Sequence, residues 1–213
     1  MRVNRFIFND FGENTLVVWD PDTLEAAVID PGCSVRRETE ALDNFIEKNH
    51  LKVTHLVNTH IHIDHVMGNG HISGKYGVEC EANPADAFLG ARCREQAQRF
   101  GLRGDYGSVE IGKELHDGDK IRIGSGELEV LAVPGHSPGS IALYSPSDGF
   151  VITGDALFRQ SIGRTDLPGG DYATLVDAIR RKLFTLPDAT VVIPGHGPET
   201  TIGTEKRTNP YLI

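Results

Sequence analysis

Cysteine is scarce in this sequence: three residues, at positions 33, 80 and 93, in a chain of 213. An odd number at long spacings fits neither a disulfide framework nor a paired C-x-x-C metal knuckle, so these read as reduced, buried thiols. Any lysine- or arginine-rich run is also missing, and the net charge is -9. Proteins that grip phosphate backbones draw affinity from such cations, which argues against nucleic acid as a partner. No apolar stretch approaches bilayer length, and the N-terminal MRVNRFIFNDFGENTLVVW has no signal-peptide core followed by a small-residue cleavage site. The expectation is a cytoplasmic protein with no membrane partner. Linkers, low-complexity tracts and internal repeats are absent too. With 39% hydrophobic and 24% charged residues, the composition is that of an ordinary globular protein, and a single domain over 1–213 is expected.

What the sequence does contain is a series of short apolar runs. NTLVVW (14–19) and EAAVI (25–29) flank DPDT, a turn composition, and read as a hairpin. Residues 37–49 place Leu42, Phe45 and Ile46 at helical spacing, and LKVTHLVNT after them reads as a strand. A second helix is expected from Asn83 as cap with Pro84 in its first turn, carrying Phe88, Leu89 and Phe100. Further strands are read at 120–123, 128–133, 141–144, 150–153 and 190–193, and a helix capped by Asp171 buries Leu175, Val176, Ile179 and Leu183. Hairpins and meanders with interspersed helices predict an α/β fold, two sheets covered by helical layers.

The chemistry is concentrated in four segments: THIHIDH (59–65), VPGHSPGS (133–140), TGD (153–155) and IPGHGP (193–198). Each follows the end of an apolar strand, and in the last three a glycine directly precedes the donor residue, permitting a sharp exit over the sheet end. In an extended segment His60, His62 and Asp64 point one way while Ile61 and Ile63 point into the core, and His65 starts a turn or helix. His60, His62, His65, His136 and His196 offer five imidazoles; Asp64 and Asp155 add carboxylates. One zinc ion takes about four protein ligands, or about three with an open position. Seven donors suit two ions sharing a bridging carboxylate, the arrangement of two-metal hydrolytic sites. His50, His55, His71 and His116 stand outside these segments and are assigned no role.

The ordered set T-H-x-H-x-D-H, P-G-H-S-P-G-S, T-G-D and P-G-H-G-P resembles the metallo-β-lactamase superfamily, and the likeness extends to AVIDPG (27–32) and HDGDKIRIG (116–124). The resemblance implies a four-layer αββα sandwich with metals at the edge of the two sheets. It implies His60, His62 and His136 for a first metal, Asp64, His65 and His196 for a second, and Asp155 as the bridge. Imidazole with carboxylate suits zinc, iron or manganese; two divalent ions, with zinc as the working choice, are expected. Two metals make hydroxide available near neutral pH and polarise a carbonyl, with Asp64 orienting the hydroxide. Cys33 and Ser137 read as turn residues, since no nucleophilic side chain is required.

Within the superfamily, GDALFRQSIGRTDLPGGD (154–171) and EKRTNPYL (205–212) are similar to small glyoxalase II-like hydrolases. That implies a thioesterase acting on hydroxyacyl-glutathione conjugates such as S-lactoylglutathione. The same GRTD segment is similar to persulfide dioxygenases, which use one iron, and a non-catalytic metal-binding scaffold with closed coordination is the alternative of a different class. The longer glyoxalase II enzymes add a basic C-terminal helical extension for glutathione. In its place, Arg159 and Arg164 in the loop after Asp155, with Lys206 and Arg207 in the tail, are candidate partners for substrate carboxylates. The competing reading of these cations is a solvated face, or for Arg164 an internal pair with Asp166. Phe11, Tyr106 and GLRGDYG (101–107) are candidate pocket residues by position. The oligomeric state has no sequence signal.

Overall fold

The computed structural model describes residues 1–104 and 106–213. The first sheet begins as a meander: β1 (Arg2–Phe8), β2 (Glu13–Trp19) and β3 (Glu25–Ile29) pair antiparallel in sequence order. The helix α1 (Arg36–Lys48) then crosses back, and β4 (Lys52–Val57) lies parallel to β3 with Ile29 opposite Val57. After α2 (Ile63–Val66) and α3 (Asn69–Tyr76), β5 (Cys80–Ala82) joins parallel to β4.

The span from 83 to 100 corrects the expected single helix. Asn83 does cap it, accepting from Ala85 N, but the helix is broken into a 3-10 turn (Pro84–Asp86), α4 (Ala87–Gly90) and α5 (Cys93–Arg99). The break falls at Gly90, where a Cβ would stand 2.3 Å from the Val109 carbonyl oxygen. The incoming Val109 N–H donates to Gly90 O at 3.0 Å, so the 109 strap displaces the next turn. The strands expected at 120–123, 128–133, 141–144, 150–153 and 190–193 are found to within two residues. The helix expected to carry Leu175 through Leu183 instead changes to a π-helical turn at Ile179–Leu183, and the short elements at 113–114, 157–162 and 200–208 are ones the sequence pattern does not predict. β6 (Lys113–Glu114) completes the first sheet, and β7 (Lys120–Ile123), β8 (Gly126–Ala132), β9 (Ile141–Ser145) and β10 (Phe150–Gly154) form an antiparallel meander. A small hairpin, β11 (Leu157–Phe158) with β12 (Ser161–Ile162), precedes α6 (Tyr172–Ala178). Asp171 caps α6 by accepting from Thr174 N at 2.7 Å. β13 (Val191–Pro194) then inserts parallel to β10, and β14 (Thr200–Thr201) and α7 (Ile202–Thr208) follow.

Strand alternation explains the layers. Leu16, Val18, Ala27 and Ile29 meet Leu128, Val130, Ile141 and Ile152 between the two sheets. The intervening Val17, Ala26 and Val28 face outward onto Leu42 and Ile46 of α1 and Ile72 of α3. On the other side Leu131, Ala142, Val151 and Val192 pack on Leu175, Ala178 and Ile202. Strands buried on both faces read as unbroken apolar runs, which is why they were visible in the sequence. The result is the expected αββα order of layers. No helix among the described residues is long and apolar enough to cross a membrane.

Candidate metal centre

Register sets the site. The parallel pairs β3/β4 and β10/β13 end at one rim, with Ile29 opposite Val57 and Gly154 opposite Pro194. Chain exits from β4, β8, β10 and β13 therefore open on the same edge, and the Ile141 N–H bonds Thr59 O at 2.8 Å across the gap between sheets. Gly154 leaves its strand at φ +48°. At Gly195 the constraint is space: a Cβ would lie 2.3 Å from Asp155 Oδ1 and 2.8 Å from His65 Cε1. Local structure differs from expectation at one point. Residues 58–62 exit the strand, but α2 already begins at Ile63, so Asp64 and His65 both sit on a helical turn. Ile61 and Ile63 are buried as expected.

All seven predicted donors converge. His60, His62 and His136 form one triad of facing ligand atoms, and Asp64, His65 and His196 another. Asp155 lies between them, with Oδ1 3.4 Å from His65 Nε2 and Oδ2 3.5 Å from His136 Nε2 and 3.6 Å from His196 Nε2. Asp64 Oδ2 is 3.2 Å from His196 Nε2. Five of the donors, His62, Asp64, His136, Asp155 and His196, line a cavity of about 370 Å³ walled by Phe11, Phe100, Phe158 and Leu167, while His60 and His65 are fully buried.

Four of the five rings are held by their other nitrogen. His136 Nδ1 donates to Arg164 O at 2.8 Å and His196 Nδ1 to Phe11 O at 3.1 Å. His65 Nδ1 bonds Asp30 Oδ2 at 3.1 Å, and His60 Nδ1 meets Thr59 Oγ1 at 3.1 Å while that hydroxyl donates to Asp30 Oδ2 at 2.6 Å. Each such contact fixes the tautomer that aims the Nε2 lone pair into the cavity. A third near-contact group, Asp30 with His60 and His65, is explained by this support: the Asp30 oxygens already accept from Thr59 N, Thr59 Oγ1 and His65.

The donor set fits a metal on the polar atoms it leaves open. His65 Nε2 and His196 Nε2 face each other at 3.2 Å beside the Asp64 and Asp155 carboxylates, an arrangement that suits a shared cation. In the other triad His62 Nδ1 faces His136 Nε2 at 2.8 Å, and His60 Nε2 and Asp155 Oδ1 are buried without a hydrogen-bond partner, which is costly unless something else satisfies them. Charge tracks the two triads. Burial, reinforced by the neighbouring His65 and His136, holds His60 well below the ordinary imidazole range, and burial with His136 pushes His62 down to about 3. Burial also acts to lower His65 and His196, but Asp155 and Asp64 overcome it and raise both.

Several functional residues were not singled out in the sequence. Asp30 is one, though it shares the strand-end context of the donors. Asp86 is another, fully buried, accepting from Ile61 N at 3.1 Å, Ser137 Oγ at 2.7 Å and Gly139 N at 2.7 Å. It staples the His60 loop to the His136 loop and gives Ser137 its turn role. Cys33, Cys80 and Cys93 are buried free thiols, and burial pushes Cys33 up to about 12, which leaves it inert.

The candidate cations separate. Arg164 lines the cavity and pairs with Asp166 through two bonds of 2.7 Å. Arg159 is exposed at the β11/β12 turn and is not among the cavity-lining residues. Lys206 Nζ bonds Asp188 at 2.8 Å and Leu186 O at 3.2 Å, and Arg207 lies 3.6 Å from Asp188, so both sit on that acid rather than at the cavity. Phe11 reaches the cavity; Tyr106 packs against the Ile61 and Ile63 cluster instead, and Asp105 of the GLRGDYG stretch lies outside the described residues.

Residues 9–196 match the sequence profile of the Metallo-beta-lactamase superfamily. The chain belongs to the metallo-β-lactamase superfamily. Among curated relatives of this superfamily member, the hydroxyacylglutathione hydrolase GloC of Haemophilus influenzae is 41% identical over 95% of this chain and 93% of its own. Among solved structures, TTHA1623 in a di-iron-bound form is 34% identical, with a TM-score of 0.87 over 98% of this chain and 100% of that one. The BLEG-1 B3 metallo-β-lactamase is 30% identical, with a TM-score of 0.87 over 99% of each chain. The αββα sandwich and the His/Asp clusters at its rim are thus those of a metallohydrolase family.

Proposed function

We propose that this metallo-β-lactamase superfamily member is a two-metal thioester hydrolase acting on hydroxyacyl conjugates of glutathione, of the S-lactoylglutathione kind. The observation that carries the reading is the pair of donor triads opening on one cavity, with Asp155 within 3.6 Å of both. The 41% identity to a hydroxyacylglutathione hydrolase favours the thioester over other hydrolysable bonds. His60, His62 and His136 would hold one divalent ion, Asp64, His65 and His196 the other, and Asp155 both; zinc is the working choice. Such a pair supplies a water of near-neutral pKa and a Lewis acid for the carbonyl.

The chain's own groups do the remainder. The Asp64 carboxylate, partly exposed in the cavity, accepts a hydrogen bond from the attacking water and orients its lone pair. The water oxygen adds to the thioester carbon, the C–S bond breaks, and the proton lost by the water passes to the departing thiolate, so that the products are a carboxylic acid and a free thiol. Phe11, Phe100, Phe158 and Leu167 enclose the reacting carbon and thin out competing water.

The test is thiol release from S-lactoylglutathione, run beside oxygen uptake with glutathione persulfide and hydrolysis of a β-lactam, with metal per chain determined on the same sample. Thiol release with two metals per chain is expected. One iron per chain with oxygen uptake and no thiol release, or β-lactam hydrolysis without thiol release, overturns the reading.

A further inference from the structure

A smaller chamber of about 120 Å³ adjoins the metal cavity and shares His62, Phe100 and Leu167 with it. Its walls are unusual for a surface hollow. Phe88 and Phe100 are left 38% and 39% exposed, and Phe11, in edge contact with Phe100 at 5.5 Å, is 36% exposed. Exposed aromatic rings gathered at one mouth mark a binding surface. Two guanidinium groups, Arg92 and Arg99, stand in the same wall. Arg92 is shared with Glu95 at 3.7 Å. Arg99 makes no ion pair within 4 Å among the described residues, and the acid Asp166, whose charge it feels, is already held in two bonds by Arg164.

Charge and rigidity both single out this wall. The chamber lining holds Arg92 and Arg99 against one acid, Glu95, in a chain of net charge -9. A local cationic mouth on an acidic protein draws anions toward it. The wall is also fastened to the metal loop: Gln96 Oε1 accepts from Ile63 N at 3.1 Å, and Gln96 Nε2 donates to Leu89 O at 2.9 Å and Ile61 O at 3.3 Å. The helix that carries Arg92 and Arg99 is therefore tied to the loop that carries His62, as a specificity site requires.

We infer that the Phe88/Phe100 chamber is the specificity subsite for one arm of the thioester, an apolar stem lying against the two rings and ending in a carboxylate that Arg99, aided by Arg92, binds. The inference rests on the proposed thioesterase reading and deepens it, by making an anionic arm a requirement for efficient turnover. A guanidinium suits this because it meets a carboxylate with two parallel N–H donors. The carboxylate belongs either to the thiol side, as in glutathione, or to the acyl side.

Three substrates and one non-hydrolysable ligand test it on the metal-loaded protein: S-lactoylglutathione, the neutral S-lactoyl-N-acetylcysteamine, the acyl-anionic S-succinyl-N-acetylcysteamine, and S-hexylglutathione for calorimetric binding. Arg99→Ala is expected to reduce the ratio of kcat/KM for a carboxylated over the neutral substrate by about tenfold, mainly through KM. Arg99→Lys should restore part of it, and Arg36→Ala, which removes the same charge from α1, should leave the ratio as in the parent. The substrate whose ratio falls tells which side carries the carboxylate. Equal losses on carboxylated and neutral substrates, or an unchanged ratio, overturn the subsite. If no thioester is cleaved the thioesterase reading fails by itself. Calorimetric binding of S-hexylglutathione and of the uncleaved S-succinyl-N-acetylcysteamine then decides the chamber: about tenfold weaker binding of either in Arg99→Ala supports it, and equal binding of both in parent and variant overturns it.

Discussion

Asp30 never faces the cavity, yet it sets two of the five rings: its carboxylate accepts from Thr59 N, Thr59 Oγ1 and His65 Nδ1, and Thr59 in turn meets His60. It holds a left-handed backbone conformation, φ +49°, to do so, a strain an aspartate tolerates better than most residues. Asp30→Asn keeps the volume but removes the charge and one acceptor. Metal affinity, measured by competition with a chelator, should fall by about 10- to 100-fold, and unchanged affinity would show that the rings are held by packing alone. The seven donors themselves were legible because each carries a chemistry-specific side chain at a strand exit. Asp30 was not assigned, although AVIDPG has the same context, because an acceptor that supports a ligand is indistinguishable in sequence from a turn aspartate.

At the scale of elements, legibility followed burial. Strands sealed on both faces announced themselves as apolar runs, and α1 and α6 by periodicity and, for α6, an aspartate cap. The stretch from 83 to 100 misled because its helical pattern is interrupted by a tertiary contact, the Val109 strap over Gly90, that no local signal encodes. Asp64 was placed on an extended segment and proves helical because a local turn closes there, the His65 N–H bonding His62 O at 3.1 Å. What fixes α5 against that turn is Gln96. Gln96→Ala would leave Ile63 N and the Ile61 and Leu89 carbonyls without their side-chain partner. A loss of about 1–3 kcal/mol in denaturant unfolding is expected, together with a raised KM for the thioester substrate. Stability within about 0.5 kcal/mol of the parent would mean that water replaces the amide fully.

For the whole molecule, acid stability offers a separate check, remote from the metals. Burial alone would raise Asp43, but hydrogen bonds from Lys75, His71 and Tyr76 outweigh it and hold its carboxyl below the ordinary value of 3.8. With the folded pKa below the unfolded one, its stabilising contribution is complete above 3.8 and is lost as pH falls through the lower folded value. The stability difference between the parent and Asp43→Asn should shrink as pH falls below about pH 4. Both proteins lose metal alike in acid, so the difference isolates this carboxylate. A difference that does not change with pH would contradict the assignment.

The central claim is that one rim, built by four strand exits, holds two metal ions. Calorimetric titration of the metal-free protein with zinc tests it most directly. Two equivalents per chain are predicted for the parent protein and one for His196→Ala, with the His60, His62 and His136 triad intact. A single equivalent in both would contradict the account.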